Sequence, residues 1–244
     1  MSQAEASLQG LSCLADYAQR AGDVLPAATW AYVNAGAADG VTQRRNAAAF
    51  EQLQLWPRVL RSIVEGNTEL ELFGKRYAHP IFIAPTAFHA LAHADAERAT
   101  AIAAAALQAV YVVSTQASVS LEDVAAAAPG PRWFQLYWQA DKEVNLALLR
   151  RAEAAGYEAI VMTVDAPIQG SRNAEQRHGF SLPAGIQPVN LLPYADKLKT
   201  TGVLEAGQSL FQHPLVTQMA SWDDVAWLVK HTTLPVLVKG ILHP

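Results

Sequence analysis

The chain has 244 residues, 51% of them apolar, with 18 basic and 22 acidic side chains and a net charge of −4. That is enough for one good core, and the interspersed charges, with no basic stripe, argue against nucleic acid or an anionic membrane as partner. The single cysteine, Cys13, excludes an intrachain disulfide and a cysteine-based zinc site. No basic-then-apolar leader pattern opens the sequence, and every apolar run stops short of a membrane span, so a cytoplasmic protein is expected.

Two helical patterns come first, "LSCLADYAQR" and "PAATWAYVNAGA". The second is opened by Pro26 and stopped by Gly36. "LELFGKRYAHP" reads as a hairpin turning at Gly74. From there the chain alternates. "PIFIAP" is a strand and "DAERATAIAAAALQA" a helix begun by Asp95. "VYVVST" is a strand and "SLEDVAAAA" a helix capped by Ser120. "RWFQLYW" is a strand and "KEVNLALLRRAEAAG" a helix ended by Gly156. "AIVMTVDAP" is a strand, a long polar segment spans 168–219, and "SWDDVAWLVKHT" is a helix capped by Ser221. "LPVLVKG" closes the series as a buried parallel strand carrying Lys239 at its carboxyl end.

Strand–helix alternation of this kind means right-handed βαβ units and a parallel sheet. No GxGxxG follows the first strand and no GxxxxGK[ST] occurs, so a (β/α) barrel fits better than a nucleotide-binding fold. Five strands and four crossover helices amount to about five of the eight units of a full barrel. The expectation is α/β: an incomplete TIM barrel preceded by a helical segment. One domain spans 1–244, with helices and hairpin over 1–80 and strands one to five over 81–244. The 168–219 segment, with Arg172, Arg177, His178, Tyr194 and Phe211, is either a surface insertion or an active-site cover.

Each strand ends in hydrogen-bonding groups: Pro85-Thr86-Ala87, Ser114-Thr115-Gln116, Gln135-Leu136-Tyr137, Thr163-Val164-Asp165 and Lys239. One such end is an ordinary loop cap; five on one face favour a polar ligand at the top of the sheet. His89 and His93 are four apart, but "HALAH" lacks a third ligand and reads as a loop or helix-start pair. Lys239 has three readings: a Schiff-base lysine, a partner for an anionic cofactor, or a plain ion pair with Asp165.

Taken in order, "APTA", "FQLY", "TVDAP", "SRNAEQRHGF" and "LPVLVKG", with "LPAATWAYVNAGAADG" before them, resemble the FMN-dependent 2-hydroxy acid oxidases and dehydrogenases, a family that includes glycolate oxidase, lactate oxidase and mandelate dehydrogenase. The resemblance covers nearly the whole chain. It implies a (β/α)8 barrel with FMN across its top face and oxidation of a small (S)-2-hydroxy acid to the 2-oxo acid by hydride transfer. Pro85, Thr86 and Ala87 would line the flavin near N5. Ser114, Gln135 and Thr163 would bind its polar edge, and Lys239 would stand by N1 and O2. Tyr32, Tyr137 and Arg172 would bind substrate. Gln116 stands where plant-type glycolate oxidases carry tryptophan, which implies a different substrate preference, and Phe88 would line the same pocket.

The resemblance also implies a C-terminally truncated member. The family's catalytic histidine and carboxylate-binding arginine lie in a stretch beyond residue 244, so no catalytic residue is assigned within this chain. The competing reading is an inactive half-barrel remnant or interaction module. Relatives of this type often form tetramers, and a homo-oligomer is among the expectations.

Overall fold

The computed structural model describes residues 9–62, 64–166, 170–198, 216 and 219–243. Phe211, in the long segment, lies outside them. The chain divides into two compact units, the first comprising Met1–Leu60 with Gly170–Pro183 and the second Arg61–Gln169 with Ala184–Pro244.

The first unit is helical: α1 (Leu14–Val24), α2 (Ala27–Asn34), α3 (Val41–Glu51) and a short α7 (Asn173–Arg177). Helix α1 starts at Cys13, which is exposed. The Asp16 carboxylate accepts from the backbone N–H groups of Ser12 and Cys13 at 2.7 and 2.9 Å, occupying donors that a helix start leaves unpaired. Pro26 precedes α2, as its missing N–H allows. Helix α3 is not foreshadowed by the sequence pattern. "VTQRRNAAAFE" has no apolar stripe and buries no residue, so periodicity carries no signal there.

The second unit holds the sheet. Strands β1 (Leu70–Leu72) and β2 (Lys75–Tyr77) form the expected hairpin, with Leu70 opposite Tyr77 and Leu72 opposite Lys75. Phe73 and Gly74 both have positive φ, 53° and 72°, the backbone that a two-residue hairpin turn of matching twist demands. Five strands then form one parallel sheet in chain order: β3 (Phe82–Ile83), β4 (Val110–Val113), β5 (Arg132–Tyr137), β6 (Ile160–Thr163) and β7 (Val236–Lys239). The crossovers are α4 (Ala96–Ala106), α5 (Leu121–Ala127), α6 (Lys142–Ala154) and α8 (Trp222–His231). The expected caps are in place. Ser120 Oγ accepts from the Asp123 N–H at 3.1 Å, Ser221 forms a capping box with Asp224, and Gly156 ends α6 at φ 77°.

Alternation along the strands divides the core in two. Tyr111, Val113, Phe134, Leu136, Ile160 and Met162 face the crossover helices, meeting Leu121, Val124, Val144, Leu148 and Leu228. Val110, Val112, Trp133, Ala159 and Val161 form the opposite, inner face, and Tyr77 of the hairpin packs with them. Phe82 meets Trp133 edge-on at 5.0 Å, and Tyr77 meets it at 6.2 Å. The amino ends of the inner face are thus filled by aromatic rings.

One expectation changes. Strand β7 is half-buried along its length, not buried. Among the described strands it pairs only with β6, so one flank lacks the neighbour that would complete its burial.

Candidate functional site

The inner face changes character toward the carboxyl ends of the strands. Continuing the inward positions of β4, β5 and β6 past Val112, Trp133 and Val161 leads to Ser114, Gln135 and Thr163, all buried. The register sets Tyr137 beside Thr163 and Thr163 beside Lys239. A strand whose inward positions run apolar and then polar carries a dry base and a hydrogen-bonding rim.

Gln135, 2% exposed, is the hub of this rim. Its Oε1 accepts from Ser114 Oγ at 3.3 Å and from the Thr115 N–H at 3.1 Å, while its Nε2 donates to Thr163 Oγ1 at 3.1 Å. Three adjacent strand ends are therefore joined through one amide. Ser114 Oγ also accepts from the Gln116 N–H at 3.1 Å. Such a network is stabilising only when its members are satisfied, because the same low dielectric penalises any orphan.

Thr115 has a role that the sequence does not advertise. It is fully buried, its hydroxyl donates to the Gln135 carbonyl at 2.6 Å, and it accepts from the Tyr137 N–H at 3.0 Å. It extends the backbone ladder between β4 and β5 with a side chain. Asn145, also fully buried, does the same for the loop after β5, accepting from the Gln139 N–H and donating to the Gln139 and Asp141 carbonyls.

Lys239 Nζ stands 3.0 and 3.2 Å from the two carboxylate oxygens of Asp165. The side chains are 41% and 40% exposed, so this is a solvent-facing pair worth about 0–1 kcal/mol. Of the three readings of Lys239, the ion pair is the one formed, and its partial exposure leaves the ammonium open toward a ligand. Gly240 follows at φ 110°, and a Cβ there would lie 2.4 Å from Asp165 Cβ and 2.9 Å from the Asp165 backbone N. Gly240→Ala is therefore expected to cost on the order of 1–3 kcal/mol through backbone strain, and more if Asp165 cannot shift. The check is a shift in the urea midpoint at unchanged slope.

The loop after β3 leaves Pro85 and Ala87 half-buried and Thr86 exposed. Phe88 is buried at φ 54°, and its N–H donates to the Gln116 carbonyl at 3.2 Å. His89 opens a single turn of 3-10 helix and holds Thr100 Oγ1 through Nδ1 at 2.9 Å. Burial pushes its pKa below the usual histidine range, against the opposing pull of Glu97 and of the Thr86 carbonyl. His93 lies instead 3.8 Å from Asp95. No group of three metal-ligating side chains occurs among the described residues.

Tyr32 and Arg172 both fall in the first unit, whereas Tyr137 and the strand ends fall in the second. Within the first unit, Tyr32 stacks on Phe180 at 4.5 Å. The Arg172 guanidinium meets Glu175 at 3.3 Å and the Ala35 carbonyl at 3.4 Å. The described residues of the 168–219 segment are held in two different places. Gly170–Pro183 joins the first unit. The part around Asn190 is clamped to the crossover helices of the second: Asn190 Oδ1 accepts from the Leu121 N–H at 2.9 Å, and Arg151 reaches the Asn190 carbonyl at 3.0 Å while pairing with Glu122 at 2.7 Å. That pairing holds the Glu122 carboxyl below its usual range.

The donor set suits a flat, acceptor-edged ring. Neutral amide and hydroxyl groups of Gln135, Ser114 and Thr163 occupy adjacent strand ends, and a partly exposed ammonium stands on the next strand.

Comparison with known proteins agrees. The FMN-dependent dehydrogenase family model matches residues 21–244. L-lactate oxidase of Alicycliphilus denitrificans is 44% identical over 229 residues, covering 94% of this chain and 62% of the relative. 2-Hydroxyacid oxidase 2 of Rattus norvegicus is 39% identical over 235 residues, covering 95% and 64%. A solved mandelate oxidase in complex with 3,3-difluoro-2-hydroxy-3-phenylpropionic acid superposes with a TM-score of 0.80 at 38% identity, covering 94% of this chain and 62% of that one. The chain thus spans a little under two thirds of the length of these relatives. A match over nearly all of this chain, with the five-strand parallel sheet and its polar strand ends in the same molecule, shows that the chain belongs to the FMN-dependent dehydrogenase family.

Proposed function

We propose that this chain forms the flavin-holding part of an FMN-dependent oxidoreductase that converts a small (S)-2-hydroxy acid to its 2-oxo acid. The observation that carries the proposal is the joined row of Ser114, Gln135 and Thr163 with Lys239 beside it, on the inner face of the sheet. The relatives support the reaction class, since they are a lactate oxidase, a 2-hydroxyacid oxidase and a mandelate oxidase. One solved mandelate oxidase variant with a TM-score of 0.78 to this chain is described with a C4a-OH-FMN adduct.

Bound at this rim, FMN supplies the acceptor for the hydride that leaves the substrate's α-carbon. Ser114, Gln135 and Thr163 would hold the cofactor by hydrogen bonds, and the backbone of Pro85, Thr86 and Ala87 would line it. Lys239 places a positive charge where negative charge accumulates on reduction, an electrostatic contribution aimed at the developing charge. Tyr137, on the strand next to Thr163, would hydrogen-bond the substrate's hydroxyl or carboxylate. Oxidation also requires a base for the hydroxyl proton, a role typically worth ~10²- to 10⁴-fold. We assign that role to no residue of this chain. The exposed free thiol of Cys13 suits a reducing compartment, and we place the protein in the cytoplasm.

Titration of the chain with FMN, followed by flavin fluorescence and visible absorbance, tests the proposal. Saturable binding with a shifted flavin spectrum supports it. A spectrum identical to that of free FMN at all protein concentrations sinks it.

A further inference from the structure

Outside the rim, one buried acid stands out. Glu97, in the first turn of the alanine-rich α4, is 0% exposed. A carboxyl group with no access to water is costly unless strongly hydrogen-bonded. Here Oε1 accepts from the His89 N–H at 3.0 Å, the Ser118 N–H at 2.9 Å and Ser118 Oγ at 3.3 Å, whereas Oε2 is buried without a hydrogen-bond partner. Ser118 Oγ accepts in turn from the Ala90 N–H at 3.2 Å.

Those donors belong to two loops. His89 and Ala90 follow Pro85-Thr86-Ala87 after β3. Ser118 closes the turn that begins at Ser114 after β4, where the Ala117 N–H donates to the Ser114 carbonyl at 3.1 Å. The Phe88 N–H to Gln116 carbonyl bond joins the same loops once more. The preceding Ala96 is held at φ 47°, a conformation that a non-glycine residue adopts only when its surroundings impose it. Glu97 is therefore fixed at the junction of the two loops while contributing nothing to the rim itself.

We propose that Glu97 is a positioning residue: its buried carboxylate locks the loops after β3 and β4 together and so sets the distance between the Pro85–Ala87 edge and Ser114. The inference rests on the flavin reading of those strand ends. Glu97 exerts its effect through backbone amides, which is why an acceptor oxygen at that point matters more than the charge.

The test uses the full 244-residue chain as wild type, Glu97→Ala, Glu97→Gln and Leu148→Ala, the last a core variant in α6. Glu97→Ala is expected to raise the FMN dissociation constant at least ~10-fold and to remove hydrogen-exchange protection from residues 86–91 and 114–118 together. Glu97→Gln keeps an oxygen acceptor and is expected to restore both. Leu148→Ala is expected to lower the melting temperature without selective loss in those two segments. If Glu97→Ala fails to fold, Ser118→Ala, which removes the hydroxyl between Glu97 and Ala90, is expected to show the same paired loss in smaller degree.

The proposal is overturned if folded Glu97→Ala keeps wild-type affinity and protection. It is also overturned if Glu97→Gln is as damaging as alanine, or if Leu148→Ala weakens FMN equally at a matched melting temperature. If the wild-type chain binds no FMN, the flavin reading fails by itself. Exchange then decides the brace: paired loss in Glu97→Ala upholds it, and unchanged protection refutes it.

Discussion

Gln135→Ala is expected to destabilise the chain by about 3–5 kcal/mol and to abolish tight FMN binding. The amide satisfies three partners on neighbouring strands: the Ser114 hydroxyl, the Thr115 backbone N–H and the Thr163 hydroxyl. Removing it strands those groups in a buried setting at roughly 1–3 kcal/mol each, the hydroxyls at the low end because they can turn toward other acceptors. A small cavity adds to the cost. Thr163→Val removes only one arm of the network and is expected to cost about 1 kcal/mol. Urea denaturation of both variants at matched slopes separates them. A loss for Gln135→Ala below that of Thr163→Val would mean that the amide is not the hub, and the central argument for a preorganised rim would go with it.

Lys239→Met is expected to do the reverse, leaving the fold nearly intact while damaging the chemistry. Both partners of its ion pair with Asp165 are well exposed, so solvent screening limits the pair to about 0–1 kcal/mol. Methionine keeps much of the aliphatic stem on which the ammonium is carried. On the proposed flavin reading, what disappears is a positive charge beside the cofactor where negative charge accumulates on reduction, and groups of that kind are worth on the order of 10²- to 10³-fold in rate. The midpoint potential of the bound flavin should therefore fall, with the melting temperature within a few degrees of wild type. An unchanged potential would assign Lys239 to the Asp165 pair alone. A collapse in stability would instead show that the pair is far less screened than its exposure implies.

The expected contrast between the two variants follows from how each side chain is held. Gln135 is neutral, buried and multiply bonded, so fold and site share it. Lys239 is charged, partly exposed and on the outermost described strand, so its loss touches the fold little. Neutral groups can be preorganised deep in a core by hydrogen bonds alone, whereas a cation is held at the rim, where water meets part of its solvation.

Much of this was legible in the amino-acid order. Short apolar runs ending in polar groups marked all five parallel strands. Ser120, Ser221 and Gly156 marked helix ends, because caps and left-handed stops are chemical requirements of single residues. The hairpin at Gly74 followed from the same logic. The resemblance of the strand-end motifs pointed to the family to which the chain belongs. Helix α3 was not legible, since a polar helix without an apolar stripe leaves no period to read.

Sequence alone thus determined which residues would stand at the strand ends, because a period of two and a parallel register leave little freedom once the apolar run is known. Only the tertiary structure decided how those ends are held. Thr115 reads as one of several polar strand-end residues until β5 lies beside it and supplies the Gln135 carbonyl and the Tyr137 N–H. Glu97 reads as an ordinary helix-start acid until two loops, 8 and 21 positions away, converge on its carboxylate. The half-burial of β7 and the assignment of Tyr32 and Arg172 to a separate unit are of the same kind. Hydrogen-bond partners distant in sequence leave no local period or composition to read, and burial is a property of what the rest of the chain packs against, so both come into being only with the fold.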